Sequence, residues 1–221
     1  MKKLKLLTAM LLFCNIVFSQ ESGGSIGISA QYGRTPYESA DALGGALKFD
    51  FSLNRRLSLS ANAGHIRGKT SIAGRSQGQS GSVVWDNSYQ FTQKENFSHL
   101  DVDLLLNLFP NNVMNKLKIG AGLSLTYTVL EYPTDIFINR GIIETLEFGK
   151  QSKAVPMLNL LIEDEIKISD RLIFFGRATF RTSFTEKHIL AREIRYENGV
   201  SSATSGIISN FTLALGLGYR L

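Results

Sequence analysis

The sequence predicts an all-β fold: an eight-stranded antiparallel up-and-down transmembrane β-barrel with extended extracellular hairpins. Three observations predict it. First, residues 117–129, LKIGAGLSLTYTV, alternate almost without a fault. Leu117, Ile119, Ala121, Leu123, Leu125, Tyr127 and Val129 share one face, and Lys118, Gly120, Gly122, Ser124, Thr126 and Thr128 the other. A period of two belongs to a strand with one apolar and one polar side. Second, past the N-terminal leader no apolar run approaches the ~18 residues of a membrane helix, so entry into a bilayer requires a closed sheet that satisfies every backbone group. Third, eight such segments are joined by links that are short and long in strict alternation, as in barrels with tight periplasmic turns and larger outer loops.

The leader comes first. MKKLKLLTAMLLFCNIVFSQ places Lys2, Lys3 and Lys5 before an apolar stretch over residues 6–18, with Val17 and Ser19 suited to the positions before a cut at Gln20. Residues 1–19 read as a secretory signal peptide and residues 20–221 as one barrel domain. Cys14, the only cysteine, falls in the leader, so the remaining chain has no thiol for a disulfide or a thiolate metal site. Taking the three leader lysines from the 24 basic residues leaves 21 against 19 acidic ones. No basic run survives that would suggest nucleic acid.

The alternating segments are residues 25–33, 42–53, 57–67, 96–109, 117–130, 155–168, 172–186 and 206–221. In the second, Leu43, Leu47, Phe49, Phe51 and Leu53 oppose Lys48, Asp50 and Ser52. In the fourth, Leu100, Val102, Leu104, Leu106 and Leu108 oppose His99, Asp101, Asp103 and Asn107. In the last, Phe211, Leu213, Leu215, Leu217, Tyr219 and Leu221 oppose Asn210, Thr212, Gly216, Gly218 and Arg220. The sixth carries Asp164 among Leu160, Ile162 and Ile166, which a β-bulge or a shifted register would explain. Links 54–56, 110–116 and 169–171 are tight, whereas 34–41, 68–95, 131–154 and 187–205 are long. Residues 83–93 read as an upward extension of the fourth strand. Asn198-Gly199 reads as a two-residue hairpin turn joining 189–196 to 200–205, continuations of the seventh and eighth strands. The Gly/Ser-rich 71–82 reads as mobile.

The apolar face is expected outside. Gly120, Gly122, Gly216 and Gly218 share the polar faces with Lys118 and Arg220, and an eight-stranded barrel has room within only for side chains; small residues would make way for long charged ones. Aromatic residues gather near strand ends, Tyr32, Tyr127, Tyr132, Phe180 and Phe184 above and Phe51, Phe174 and Tyr219 below, as two interfacial girdles would. A soluble lipocalin-like barrel would want Gly-x-Trp near its start, whereas the sole tryptophan, Trp85, falls in the longest link.

The chain stops on LGLGYRL. This resembles the terminal assembly signal of bacterial outer-membrane barrels through Gly216, Tyr219 and Leu221. It departs from that signal at Ala214, where a polar residue is usual, and at Leu221, where Phe is commoner. With that ending, residues 20–221 resemble the small eight-stranded barrels of the OmpA/OmpX kind, in the version common in Bacteroidota, without a peptidoglycan-binding domain. The resemblance implies the outer membrane of a Gram-negative bacterium, contact with its lipid, and the outer-membrane assembly machinery during biogenesis.

In this register Lys48, Lys118, Lys167, Arg177, Arg181 and Arg220 point inward together with Asp50, Asp101, Asp103, Glu163 and Glu165. A lone buried charge costs several kcal/mol, so these groups must pair or be wetted, and a salt-bridge plug is expected rather than a gated pore. Nucleophilic catalysis needs a Ser and a His on one face with an orienting acid. Ser98 and His99 are adjacent and therefore face apart, and neither His65 nor His188 has a Ser two residues on. Glu163-Asp164-Glu165 lacks the convergent loop oxygens of a Ca²⁺ site. No catalytic residue, cofactor or metal is expected, and no nucleic-acid partner. Trp85, Tyr89, Phe91 and Tyr196 are the expected surface-contact residues for a protein partner. Three functions fit: a non-enzymatic structural or surface-interaction barrel; a small channel or conduit for small or apolar molecules, as OmpW-like barrels are thought to provide; and an accessory subunit of a larger envelope complex.

Overall fold

The computed structural model describes residues 23–36, 40–80, 82–112, 114–139, 142–184, 192–196, 199–203 and 208–221; the leader and its cleavage site lie outside them. The strands are β1 (Gly24–Arg34), β2 (Asp41–Ser52), β3 (Leu57–Ser80), β4 (Val83–Asn107), β5 (Asn115–Asn139), β6 (Ile142–Lys167), β7 (Leu172–Ser183), β8 (Arg192–Tyr196), β9 (Gly199–Ala203) and β10 (Ser209–Arg220). Eight close into a ring in the order β1-β10-β7-β6-β5-β4-β3-β2, while β8 and β9 pair as a separate ribbon. Closure of β1 on β10, from Ser25–Arg220 to Gly33–Thr212, leaves the wall without an edge.

Side-chain oxygens shape the tight turns. Asn54 Oδ1 accepts from the backbone N–H of Arg56 and Leu57, both at 2.8 Å. Asn112 Oδ1 accepts from Met114 and Asn115, and Ser169 Oγ from Leu172. Each substitutes a local acceptor for the next strand's carbonyl, which is why Asn and Ser end strands here.

The pairing registers align outward side chains in level rows across β3, β4, β5 and β6. From below they read Leu57–Leu106–Ile119–Ile162, Leu59–Leu104–Ala121–Leu160, Ala61–Val102–Leu123–Leu158 and Ala63–Leu100–Leu125–Pro156. Leu123 is 59% and Leu215 62% exposed, while Asp101, Asp103 and Arg181 on the opposite face are fully buried. A barrel that exposes its leucines and buries its charges is solvated by lipid. Along β5 the outward column from Leu117 to Val129 climbs roughly 30 Å at ~3.3 Å per residue and a tilt of about 40°, the thickness of a hydrocarbon core. Asp164 pairs regularly with Leu117 and Gly176, so neither a bulge nor a shifted register is present there. It stands on the outer face just above the lower turns.

The inner face is less uniformly polar than alternation suggests. Phe175, Ile173, Leu105 and Leu161 are buried inside, and the glycines serve them. A Cβ at Gly216 would strike the Phe175 ring, one at Gly218 would strike Ile173, and one at Gly120 would strike Leu105; only at Gly122 is the obstructing side chain charged, Asp103. One glycine of the four thus makes way for a charged group, the short Asp103 carboxylate, and none for a long one. Two apolar clusters, Ala42–Ile66–Phe97 and Val155–Met157–Ile208, sit at the upper mouth.

The long links differ from expectation in three places. Residues 71–80, expected to be mobile, are strand: β3 and β4 stay paired to Ser80–Val83. The register sets the flexible Gly74 and Gly78 opposite Tyr89 and Trp85, so residues of high strand propensity face those of low propensity across the ribbon. In the β8–β9 ribbon Gly199 pairs with Tyr196 and is therefore a strand residue rather than the second residue of a turn; Asn198 lies outside the described residues. Residues 185–191 and 204–207, through which this ribbon would continue β7 and β10, lie outside the described residues, and β8 runs against β5.

Candidate functional site

The lumen holds three tiers of charge: the upper ties β4 to β7 and β10, the middle ties β4 to β6 and β7, and the lower ties β2 and β5 to β6 and β7. In the upper tier Arg181 makes a two-pronged bond to Asp101, Nε to Oδ1 at 3.1 Å and Nη2 to Oδ2 at 2.6 Å. Its Nη1 donates to Asn210 Oδ1 at 3.0 Å and Thr212 Oγ1 at 2.9 Å. Asp101 also accepts from Ser124 Oγ at 2.6 Å and Asn62 Nδ2 at 3.2 Å. His99 bridges this tier to β1, with Nε2 3.1 Å from Gln31 Oε1 and Nδ1 3.3 Å from Arg181 Nη2. The same Nδ1 lies 3.1 Å from Asp101 Oδ2, so the ring sits between the carboxylate and the guanidinium of this pair.

In the middle tier Arg177 pairs with Asp103 through Nη2 and donates from Nη1 to Ser60 Oγ at 3.0 Å. Asn159 Nδ2 supplies Asp103 Oδ1 at 2.9 Å. The lower tier centres on Glu163, held by Lys48 at 2.7 Å, Lys118 at 3.0 Å and Arg177 at 3.6 Å. Lys118, Glu163 and Arg177 are neighbours in one row across β5, β6 and β7, cation–anion–cation. Lys48 also reaches Asp50 at 2.7 Å and stands 4.3 Å over the Phe175 ring. Lys118 and Arg220 share Glu165 at 2.6 and 3.2 Å.

Lys167 is the exception among the expected lumen residues. It pairs with the exposed Asp170 at 2.6 Å in the turn after β6, because its position at the strand's end lets the long stem reach the turn. Without it the expected set holds five cations against five anions, and Glu95, buried on the inner face above them, is a further carboxylate. Sequence reasoning passed over the neutral partners Asn62, Ser124, Asn159, Asn210 and Thr212, which complete the plug's hydrogen bonds; their inward parity was the available signal. Asp50, Glu163 and Glu165 bring carboxylate oxygens close enough for a metal ion, but the Lys48 and Lys118 ammoniums already lie against them. Below the plug a cavity of about 900 Å³ opens at the turn end, lined by Asp50, Asn107, Lys116, Lys118, Glu165 and Arg220 among others.

Of the expected surface-contact residues, Phe91 is only 5% exposed. It shares the inward parity of Gln93 and Glu95, so it faces inward at the base of the β3–β4 extension and is unsuited to contact. Tyr89 is half-buried on the same side; the side chains of Trp85 and Tyr196 lie outside the described residues. At the assembly signal, Gly216 faces inward while Tyr219 and Leu221 face out.

One pair was missed outright. His65 and Ser98 are cross-strand partners, with His65 Nδ1 2.9 Å from Ser98 Oγ on the outer face. A search for Ser and His along one strand overlooks a pair made between two. Among the described residues no carboxylate orients His65, and the neighbouring backbone N–H groups are committed to the ladder, which leaves an acyl-transfer oxyanion without backbone donors.

No protein-family model and no curated protein matches the chain. Solved structures do. A major outer membrane protein from Thermus thermophilus superposes with a TM-score of 0.54 at 14% identity, covering 90% of this chain and 99% of that one. Neisserial surface protein A gives 0.52 at 9% identity, covering 91% and 98%. The fold is that of the small eight-stranded outer-membrane barrels. Fold alone does not decide activity.

Proposed function

We propose that the protein is a non-enzymatic barrel of the Gram-negative outer membrane with a structural or surface-contact role. The observation that carries this reading is the arm formed by the upper β3 and β4. The register with β2 ends at Ala42–Gly68 and that with β5 at Lys94–Glu131, yet β3 and β4 remain paired to Ser80–Val83. Above those points, among the described residues, the β2–β3 and β4–β5 ladders do not continue along the ribbon, and a ribbon edge beyond a ladder can accept a strand from another chain. The ion-paired plug supports a closed lumen. A second reading, a small channel, draws on the mouth cavity that penetrates to Lys118 and Glu165.

Planar bilayers holding purified protein in potassium chloride separate the two. Electrical silence is expected; resolved conductance steps altered by Arg177→Gln or Asp101→Asn would favour the channel. A photoreactive residue at Val84, 70% exposed on the arm, should give a defined adduct in intact cells, and no adduct at all would defeat the contact role. If the adduct is one partner that also co-purifies stoichiometrically in mild detergent, the protein serves as an accessory subunit.

A further inference from the structure

Above the apolar wall the outward rows change character in steps. His65, Ser98 and Tyr127 form one level. Arg67 and Asn96 form the next, with Arg67 Nε donating to Asn96 Oδ1 at 2.7 Å. Two residues higher, Lys69, Lys94, Glu131 and Lys150 stand side by side on β3, β4, β5 and β6. Lys69 and Lys94 are direct cross-strand partners, an arrangement that like charges destabilise. Glu131 answers only part of this charge, lying 3.4 Å from Lys94 and 3.5 Å from Lys150. Among the described residues no carboxylate pairs with Lys69 or Arg67. The row is also the last at which β4 and β5 are joined, so it crowns the wall immediately above Val129, the top of the column that spans the hydrocarbon. Cations at that height meet the headgroups of a leaflet.

We propose that Lys69, Lys94 and Arg67, flanked by Lys150, bind the phosphate of a phosphorylated lipid seated in the outer leaflet against β3–β6. A phosphate oxygen cluster between Lys69 and Lys94 turns their repulsion into two charge-assisted hydrogen bonds, and Arg67 one row below supplies a planar donor fork to the same group. The lipid's acyl chains then run down the Leu100–Leu125 and Val102–Leu123 rows. The site is independent of the lumen and of the arm's contacts, so it stands or falls without the function proposed above.

The test is native mass spectrometry of the full barrel in detergent with diphosphoryl lipid A as probe. A one-to-one adduct is expected, weakened at least tenfold in Lys69→Gln/Lys94→Gln and unchanged in Arg75→Gln, which removes a cation higher on the same arm. Melting curves guard against a folding artefact. Without lipid the double variant should melt close to the parent, since the Lys69–Lys94 repulsion it removes offsets the exposed Lys94–Glu131 pair it loses, and added lipid should raise the melting temperature of the parent alone. Should the double variant misfold, the single Lys69→Gln, expected to weaken the adduct at least threefold, replaces it. Equal adducts with a phosphate-free lipid A, or undiminished binding in the variants, would overturn the proposal. So would displacement of the lipid by an equimolar soluble polyphosphate, inositol hexakisphosphate, because the acyl chains would then contribute nothing.

Discussion

Arg181 and Asp101 show what a buried charge requires. Neither side chain reaches water, and their stability depends on every donor and lone pair finding a partner, which Asn62, Ser124, Asn210 and Thr212 supply. Removing one member leaves the other's charge stranded. Arg181→Met and Asp101→Asn are each expected to cost about 3–5 kcal/mol, read from urea unfolding in lipid vesicles. The double variant should cost about 1–3 kcal/mol less than the sum, the coupling of two residues in contact; strict additivity would mean that the pair does not hold the lumen together. How far this was legible in sequence is a matter of parity against register. Alternation alone turns Asp101, Asp103, Arg177 and Arg181 inward. That Arg177 meets Asp103 and Arg181 meets Asp101, across 74 and 80 residues, depends on the stagger of strands on opposite sides of the ring, which no single segment encodes. The same blind spot hid His65 beside Ser98.

At the scale of the element, the β3–β4 arm gains a clasp that the barrel wall does not provide. Arg75 Nε donates to Asp86 Oδ1 at 2.6 Å, and a second bond links Nη2 to Oδ2. The Arg75 hydrogen bond, helped by Gln77, holds the Asp86 carboxyl below its ordinary range. A carboxylate whose pKa is lower folded than unfolded contributes stability above its unfolded pKa of about 4, and loses it as the pH falls through the lower folded value. Emission from Trp85, the only tryptophan, is therefore expected to stay constant from neutral pH down to about 4 and to shift only below it. Asp86→Asn should show the acid-like emission already at neutral pH, and identical pH profiles would rule out the clasp. The arm also marks where composition misleads. Gly74, Gly78 and the serines around them carry the signature of a linker, but backbone pairing with a partner of aromatic and β-branched residues needs nothing from their side chains. The strand's propensity resides in Val83–Phe91, across the hairpin rather than along it.

For the whole molecule the decisive question is which solvent the leucines meet, because reversing it would exchange core and surface at every strand. Four level rows of aliphatic side chains across β3–β6, all outward, bury almost nothing against protein; in water that area would favour association at roughly 25 cal/mol per Å², and in lipid it costs nothing. Leu123 stands midway up this wall, between Val102 and Leu158 in its row. Leu123→Arg places a guanidinium at the bilayer midplane, where about 2–4 kcal/mol of destabilisation is expected; nearer the girdle, Val129→Arg should cost about 0–1 kcal/mol for the same change. Folding titrations in vesicles of one lipid composition measure both. A depth-dependent difference requires the leucine face to lie in hydrocarbon. A flat response would match a barrel whose outer wall is wet, and in that case the tiers of charge along the axis would lose their physical justification, since a water-soluble ring of this size would do better to fill its centre with the leucines it leaves outside.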